Sequence, residues 1–315
     1  MSEISQLSFS AFTAAAARAA HLIVDREPVI FADTMAEAML GERAAELLGF
    51  HRQHGSHPVL AAARAQVACR SRYTEDRLAQ AIQRGVTQYV LLGAGLDTFA
   101  CRSPLAQRVR VFEVDHPATQ AYKRRVVAAA GDARFVPVDF GRDGLREGLE
   151  RAGFGFGAPA FVAWLGVTMY LTHEAIDSTL AVLGGFAPGS EIVANYMLPA
   201  GLRDAAGEDY AGQVAPISAE RGEPWVSFSS PAEMAARLQR HGFAAVRDVS
   251  QAEMIPAAEW DRSDALSPAD LSRIAHARVA GQLALWESAP VAFTWPDRDM
   301  RWADGPAIPS GSGSP

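Results

Sequence analysis

The sequence predicts an α/β protein built on a doubly wound, mostly parallel sheet of seven strands, preceded by a helical N-terminal cap. Two observations lead to this prediction. From Val86 onward, short apolar runs alternate with helical patterns, which is the rhythm of βαβ units. Before Val86 the patterns are helical only. The 315 residues, 49% hydrophobic and 21% charged, suit one enlarged domain or two small ones.

The predicted cap covers residues 1–85. Residues 10–25 are rich in alanine and favour a helix, which Pro28 ends. A longer helix is expected from Pro58, because apolar residues recur at helical spacing until Gly85 stops the pattern.

The domain predicted over residues 86–305 opens with strands that alternate with helices. The strands are expected at Val86–Leu92, Val109–Val114, Arg134–Val138, Ala160–Leu165 and Glu191–Met197, and the helices at Ala118–Ala130, at Asp143–Ala152 and after Thr172. In a parallel sheet of this kind the carboxyl ends of the strands share one edge, where ligands bind.

The C-terminal third is expected to complete the sheet. The run Ser230-Pro-Ala-Glu233 is a capping box that starts a helix, and Phe243–Val249 follows as a strand. A second proline-led helix is predicted from Ser267, and Val291–Trp295 is predicted as the last strand.

Two segments are expected to lie outside regular structure. Residues 200–226 are rich in Gly, Ala, Asp and Glu, which predicts an irregular insertion that acts as a lid. Residues 306–315 predict a flexible tail.

Composition and charge exclude several classes of function. The net charge of −7 and the lack of a long basic run argue against a nucleic-acid partner. Cys69 and Cys101 form neither a metal-site spacing nor a disulfide framework, so we expect no metal and a reducing, cytoplasmic location. The charge-free run 153–172 is broken by glycines and a proline and predicts a buried strand, not a membrane span. The oligomeric state is left open.

A glycine loop follows the first strand and predicts a nucleoside site. Gly93 and Gly95, with Ala94 between them, allow a sharp turn and a close approach of backbone to ligand, although an ordinary tight turn would look the same. A dinucleotide fingerprint would have a glycine at position 98, where this chain has Thr98. Asp97 would repel a pyrophosphate but suits the ammonium of a methionine group. The loop therefore favours S-adenosylmethionine over NAD.

Acidic residues follow at the ends of the next two strands. Asp115, 20 residues after Gly95, is placed to accept both ribose hydroxyls, or else it caps the following helix. Glu113 is a second candidate for the ribose. Asp139, beside the apolar wall of Phe140, suits the amino group of a purine, or else it is a solvated loop residue.

Five runs of the chain together resemble the leucine carboxyl methyltransferase family. That family includes the protein phosphatase methyltransferases and bacterial S-adenosylmethionine-dependent O-methyltransferases, some from polyketide pathways of secondary metabolism. The resemblance covers roughly residues 10–200, and its runs are Arg70-Ser-Arg-Tyr-Thr-Glu-Asp-Arg-Leu78, Leu92-Gly-Ala-Gly-Leu-Asp-Thr98, Phe112-Glu-Val-Asp-His-Pro117, Val138-Asp-Phe140 and Trp164-Leu-Gly-Val-Thr-Met-Tyr-Leu171.

The resemblance implies a Rossmann-like class I methyltransferase fold with S-adenosylmethionine as cofactor. It assigns Gly93 to the cofactor loop, Asp115 to the ribose, and Asp139 with Phe140 to the adenine.

The methionine end of the cofactor is less clearly matched. The family holds the methionine carboxylate with an arginine upstream of the first strand, which here is either Arg70 or Arg72. Eukaryotic members carry a glutamate where this chain has Leu165. Recognition of the amino group would therefore fall to Asp97 or to carbonyls near Gly93, and the inference that the acceptor is a protein C-terminus is weakened.

The predicted activity is O-methylation of a carboxylate or hydroxyl of a small molecule. A carboxylate needs no general base, whereas a hydroxyl profits from one. His173 is the best-placed histidine and Tyr170 a second candidate, although a polar residue in the first turn of a helix would also explain His173. No obligatory base is predicted.

The acceptor pocket is expected at the ends of the fourth and fifth strands. Its candidate residues are Trp164, Met169, Tyr170, Asn195 and Tyr196, of which Trp164 and Met169 would equally suit the core. Two other functions fit part of the pattern: an NAD(P)-dependent oxidoreductase, and a non-catalytic cofactor-binding partner protein.

Overall fold

A seven-stranded sheet forms the centre of the computed structural model, which describes residues 8–126, 132–139 and 144–281. The strand order is β3-β2-β1-β4-β5-β7-β6. The strands are β1 Gln88–Leu92, β2 Arg110–Asp115, β3 Arg134–Pro137, β4 Ala160–Trp164, β5 Glu191–Met197, β6 Phe243–Val249 and β7 Ser272–Val279.

Helices precede the sheet, cover both its faces and follow its strands. Within the described residues they are α1 Phe9–Val24, α2 Ala36–Met39, α3 Ala44–His54, α4 Pro58–Gln83, α5 Phe99–Arg102, α6 Pro117–Val126, α7 Leu145–Arg151, α8 His173–Gly184, α9 Ala205–Glu220 and α10 Pro231–Arg240. A 3-10 turn at Thr168–Tyr170 follows β4. The predicted helical cap and the predicted alternation of strand and helix are thus confirmed.

The five strands β1 to β5 are parallel, and the chain reverses its direction of travel across the sheet between β1 and β4. Strand β1 pairs with β2 on one side and with β4 on the other. From β1 the chain continues to β2 and β3 on one side, and it then crosses to β4 and β5 on the other side of β1. A crevice therefore opens at the carboxyl ends of β1 and β4. This is the edge where the sequence places the glycine loop.

Alternate residues of each central strand pack into two separate cores. In β1, Tyr89 and Leu91 lie in the core that α4 covers, whereas Val90 and Leu92 lie in the core that α8 and α10 cover. All five residues of β1 are buried, because a parallel strand with helices on both faces has no solvent side.

The predicted helix from Ser267 is wrong. The chain instead forms β7, which pairs antiparallel with β5 on one side and with β6 on the other. This segment pairs with a strand on each side and buries Ile274, Ala275 and Ala277. These tertiary contacts outweigh the proline that predicts a helix start. The predicted strand Val291–Trp295 and the predicted tail 306–315 lie outside the described residues.

The predicted insertion 200–226 is mostly helical, not irregular. Asp204 caps α9 by accepting a hydrogen bond from the backbone N–H of Gly207 at 2.7 Å. Pro216 lies inside this helix. The capping box at Ser230 and Glu233 is present as predicted.

A buried carboxylate anchors the edge of the sheet opposite the crevice. Glu191, the first residue of β5, accepts hydrogen bonds from Arg84 at 2.6 Å, Arg278 at 3.2 Å and His276 at 3.0 Å. His276 also contacts the Tyr73 hydroxyl, and a neutral ring with its proton on Nε2 satisfies both contacts. Burial alone would raise the pKa of Glu191, but His276 and Arg84 outweigh it and lower this pKa to about 2.

We expect the Glu191→Gln variant to lose on the order of 3 kcal/mol of unfolding free energy at pH 7, because the ionised carboxylate is stabilised only in the folded state. That contribution is present above the ordinary glutamate pKa of 4.5 and is lost as the pH falls toward 2. Urea unfolding between pH 7 and 3 should therefore give a flatter profile for the variant. The exposed Glu46→Gln exchange is the control, and a variant profile parallel to the wild type would contradict the prediction.

Candidate functional site

A cavity of about 480 Å³ occupies the crevice at the carboxyl ends of β1 and β4. Its floor is the loop after β1, and its walls come from α1, α4, the ends of the parallel strands and α9. The residues predicted from the sequence that line it are Arg70, Gly93, Ala94, Gly95, Asp97, Asp115, Asp139, Leu165, Met169 and Tyr170.

The glycine loop is confirmed as a turn that requires glycine. Gly93 has φ of +64° and Gly95 has φ of +50°, in the left-handed region that disfavours a side chain. A Cβ at Gly93 would also collide with Cγ2 of Val167. The N–H groups of Gly93 and Ala94 both donate to the carbonyl of Val114, at 2.8 and 3.1 Å, and tie the turn to β2.

Asp115 ends β2 and closes the turn from the other side. Its Oδ2 accepts the N–H of Gly95 at 2.6 Å, and its Oδ1 accepts the N–H of His116 at 2.7 Å. Burial raises the pKa of Asp115, although these two N–H groups oppose the rise. A carboxylate oxygen can accept more than one hydrogen bond, so both oxygens keep capacity for ligand hydroxyls.

A buried network that the sequence analysis missed supports the loop from below. Asp33 accepts hydrogen bonds from Arg18 at 2.7 Å and from the Thr98 hydroxyl at 2.6 Å. Arg18 also donates to the carbonyl of Leu96 at 2.7 Å. Asp33 lies in an irregular segment with no motif around it, so no sequence signal marked it.

The structure separates the two candidate arginines. Arg70 lines the cavity, lies against Gly166 and donates to Asn195 Oδ1 at 3.3 Å. Burial lowers the pKa of Arg70 to about 10, so it is a desolvated cation at neutral pH. Arg72 does not line the cavity; it pairs with Asp76 at 2.9 Å and donates to the carbonyl of Ile30 at 3.2 Å.

Two further acids reach the cavity from separate strands. Asp97 lies in the loop after β1, and its Oδ1 accepts the N–H of Phe99 at 2.7 Å. Asp139 follows β3 and is half-buried at the cavity edge. Phe140 lies outside the described residues.

The end of the cavity beyond Arg70 is apolar and aromatic. Met169 and Met197 pack there with side chains of the insertion, among them Tyr210 and Trp225. Burial raises the pKa of Tyr210 to about 12, so its phenol is neutral at physiological pH.

The roof of the cavity is a contact between α1 and the insertion. Glu223 Oε2 accepts the N–H of Ser10 at 2.9 Å, in the first turn of α1. Arg221 lies over the ring of Phe9, at 5.3 Å from its centroid. These residues are more than 200 positions apart in the sequence, and no motif connects them.

Trp164, Asn195 and Tyr196 were predicted in the pocket and do not line it. Trp164 is buried in the opposite core. It follows Ala163, which lines the cavity, on the same strand, and successive side chains of a strand point to opposite faces. Tyr196 lies in that core too and donates to Asp248 at 2.9 Å. Asn195 lies behind Arg70.

Glu113 and His173 also lie away from the cavity lining. Glu113 is buried and pairs with Lys123 at 2.6 Å, so its carboxylate is engaged in the interior. His173 is the exposed first residue of α8. A helix start projects this residue to the surface, so the structure offers no support for His173 as a base.

Among the described residues, no group of three or more His, Cys, Asp or Glu side chains is arranged to hold a metal ion. In the same part of the chain, every helix is too short or too polar to cross a bilayer.

Comparison with known proteins identifies the family. The model of the leucine carboxyl methyltransferase family matches residues 11–184. YktD of Bacillus subtilis (strain 168), named as an S-adenosyl-L-methionine-dependent methyltransferase, is 33% identical over 215 residues, which cover 66% of this chain and 70% of that protein. A Parafrankia sp. (strain EAN1pec) protein with a similar name is 39% identical over 136 residues, or 41% of this chain and 43% of its own length.

Solved structures agree on the fold. A crystal structure named for a methyltransferase from Thermobifida fusca YX has a TM-score of 0.54 at 22% identity, over 78% of this chain and 93% of its own. A DUF574 family protein from Streptomyces avermitilis has a TM-score of 0.55 at 17% identity, over 89% of this chain and 100% of its own. The chain belongs to the leucine carboxyl methyltransferase family and is an S-adenosylmethionine-dependent methyltransferase with a Rossmann-like fold.

Proposed function

We propose that this enzyme is an O-methyltransferase that transfers a methyl group to a carboxylate or hydroxyl of a small molecule, within the cavity above β1 and β4. The observation that supports the proposal is that two features line the same crevice: the turn at Gly93, which has no room for a side chain, and the Asp115 carboxylate. An activity in secondary metabolism belongs to the same proposal and rests on the resemblance to bacterial polyketide enzymes.

The described residues fit S-adenosylmethionine along the length of the cavity. Asp115 has acceptor capacity for the ribose hydroxyls, and Asp139 stands at the edge where an adenine amino group would reach. At the other end, Arg70 offers a planar cation for the methionine carboxylate and Asp97 an anion for its ammonium. The turn at Gly93 leaves room between these two ends, where a Cβ would clash.

The bound cofactor supplies a methyl group already activated by its sulfonium, so the protein needs only to align the acceptor and exclude water. Met169, Met197 and Trp225 bound the part of the cavity beyond Arg70 with apolar surface. The contact between Ser10 and Glu223 covers it. These residues supply the dry and shaped space that the reaction requires.

The acceptor atom is proposed to be an oxygen that needs no strong base. Two phenols, Tyr170 and Tyr210, lie at the acceptor end of the cavity. Among the described residues of the lining, the histidine, His116, follows Asp115 in the chain, and the Glu223 carboxylate of the roof accepts the Ser10 N–H. A neutral Tyr210 can donate a hydrogen bond but does not abstract a proton at neutral pH. This favours an acceptor already ionised, such as a carboxylate, or a phenol of low pKa.

The lid and the cellular location are proposed on separate grounds. Helix α9 and Glu223 cover the cavity, which supports the insertion as its lid. Cys69 and Cys101 are free thiols, which supports a reducing cytoplasm.

The proposed function is tested by incubating the protein with methyl-labelled donor and a panel of small carboxylic acids and phenols. Mild base then separates the products, because methyl esters hydrolyse and methyl ethers survive. Labelling of an ester or an aromatic ether supports the proposal, whereas methylation of nitrogen only would refute it. Heat of binding with NADH but not with S-adenosylhomocysteine in calorimetry would favour the oxidoreductase alternative.

We expect Asp115→Asn to weaken the binding of S-adenosylhomocysteine by roughly 1–3 kcal/mol, the scale of lost charged hydrogen bonds. The amide keeps the size of the side chain and removes its charge. Isothermal calorimetry measures the effect, and the unfolding midpoint shows whether the turn at Gly95 survives. Unchanged affinity in a folded variant would remove Asp115 from the site.

Arg70 and Arg72 form a matched pair for a second binding test. We expect Arg70→Met to weaken S-adenosylhomocysteine binding at least tenfold, because a carboxylate would lose its buried cation. Arg72→Met removes the same charge from the same helix and should leave the affinity within about twofold, since a partly exposed ion pair contributes little. Equal losses in both variants would contradict the assignment to Arg70.

A further inference from the structure

A second cavity, of about 230 Å³, adjoins the acceptor end of the first. It lies between the first turns of α4, the first turns of α9 and the segment before β7. Its walls are mostly small and apolar, with Pro58, Val59 and Ala62 from α4, Ala206 from α9, and Ala269. No residue assigned to the cofactor lines it.

Tyr210 belongs to the lining of both cavities and separates them. Helix α4 runs past both spaces, because Ala62 lines the second cavity and the adjacent Ala63 lines the first. The two spaces therefore lie one after the other along the contact between α4 and α9 and meet at the Tyr210 side chain.

The chemistry of the second cavity selects an uncharged, apolar occupant. Its lining holds no cation, and its one carboxylate, Asp209, is exposed and accepts a hydrogen bond from Gln213 at 3.0 Å. An anion would be repelled there, and a cation would find only this solvated partner. Hydrocarbon would bury its surface against the alanine and valine side chains, while Ser56, Ser267 and Asp209, which are exposed, keep their contact with water.

We propose that the second cavity binds the apolar tail of the methyl acceptor, while the acceptor oxygen lies in the first cavity. The substrate is then an amphiphile: an acid or phenol that carries a hydrocarbon chain, which passes Tyr210. This inference rests on the proposed function and goes beyond it by assigning a tail subsite and a chain-length preference.

The test uses the protein of 315 residues saturated with S-adenosylhomocysteine. Two series of ligands are titrated by calorimetry, the straight-chain acids from butanoate to decanoate and the corresponding 4-alkylphenols. In at least one series we expect affinity to rise roughly fourfold for each added methylene until the second cavity is full, which is the increment for burying one such group.

Two variants locate the tail. The Ala62→Phe side chain fills the second cavity, so the increase in affinity with chain length should stop at a shorter chain. The affinity for the shortest ligand should stay within about twofold of the wild type. Ala219→Phe adds the same ring at an exposed position of α9 outside both linings and should match the wild type. The S-adenosylhomocysteine affinity and the unfolding midpoint of each variant establish that it is folded.

Each result decides the matter. A chain-length gradient that Ala62→Phe truncates supports the tail subsite. Three results would overturn it: a gradient that Ala62→Phe leaves intact, affinities that do not change with chain length, or no binding in either series. Methyl transfer to short and long acceptors at equal rates would overturn the tail subsite alone, whereas intact S-adenosylhomocysteine binding without transfer to any acid or phenol would contradict the proposed function.

Discussion

The whole site depends on a steric constraint at the end of β1, where the backbone has to turn in a space that no side chain can share. Val167, from the loop after β4, fills the position that a Cβ of Gly93 would take. The two loops at the switch point therefore pack directly on each other. Asp115 fixes the turn from β2, and Arg18 fixes the carbonyl of Leu96 beyond it. Because the turn is held on three sides, its cavity face is set before any ligand binds.

Much of the fold could be predicted from the sequence because local and tertiary preferences agree over the parallel strands. Strand β4, for example, is a continuous apolar run that is buried on both faces. Strand β7 was missed because its conformation comes from pairing with β5 and β6, which no local pattern reports. The insertion forms a capped helix although its glycines and acids predict irregular structure, because its local composition does not reveal the cap. The same holds for the cavity: residues predicted from motifs, such as Gly93 and Asp115, line it.

Cavity residues outside motifs could not be predicted from the sequence, because residue spacing does not show which distant segments are in contact. Arg18 and Tyr210 line the same cavity although they lie far apart in the sequence. The choice between Arg70 and Arg72 also needed the structure, because both lie on one helix and only the direction of the side chain separates them. Asn195 was expected to touch the substrate and instead lies behind Arg70, where its amide oxygen accepts from the guanidinium.

The bond from the Ser10 N–H to Glu223 joins the first helix of the chain to the end of the insertion. A molecule that enters or leaves the cavity between these two segments has to break this bond. In enzymes whose covering segments open before the product leaves, that opening, and not the chemical step, often limits the rate.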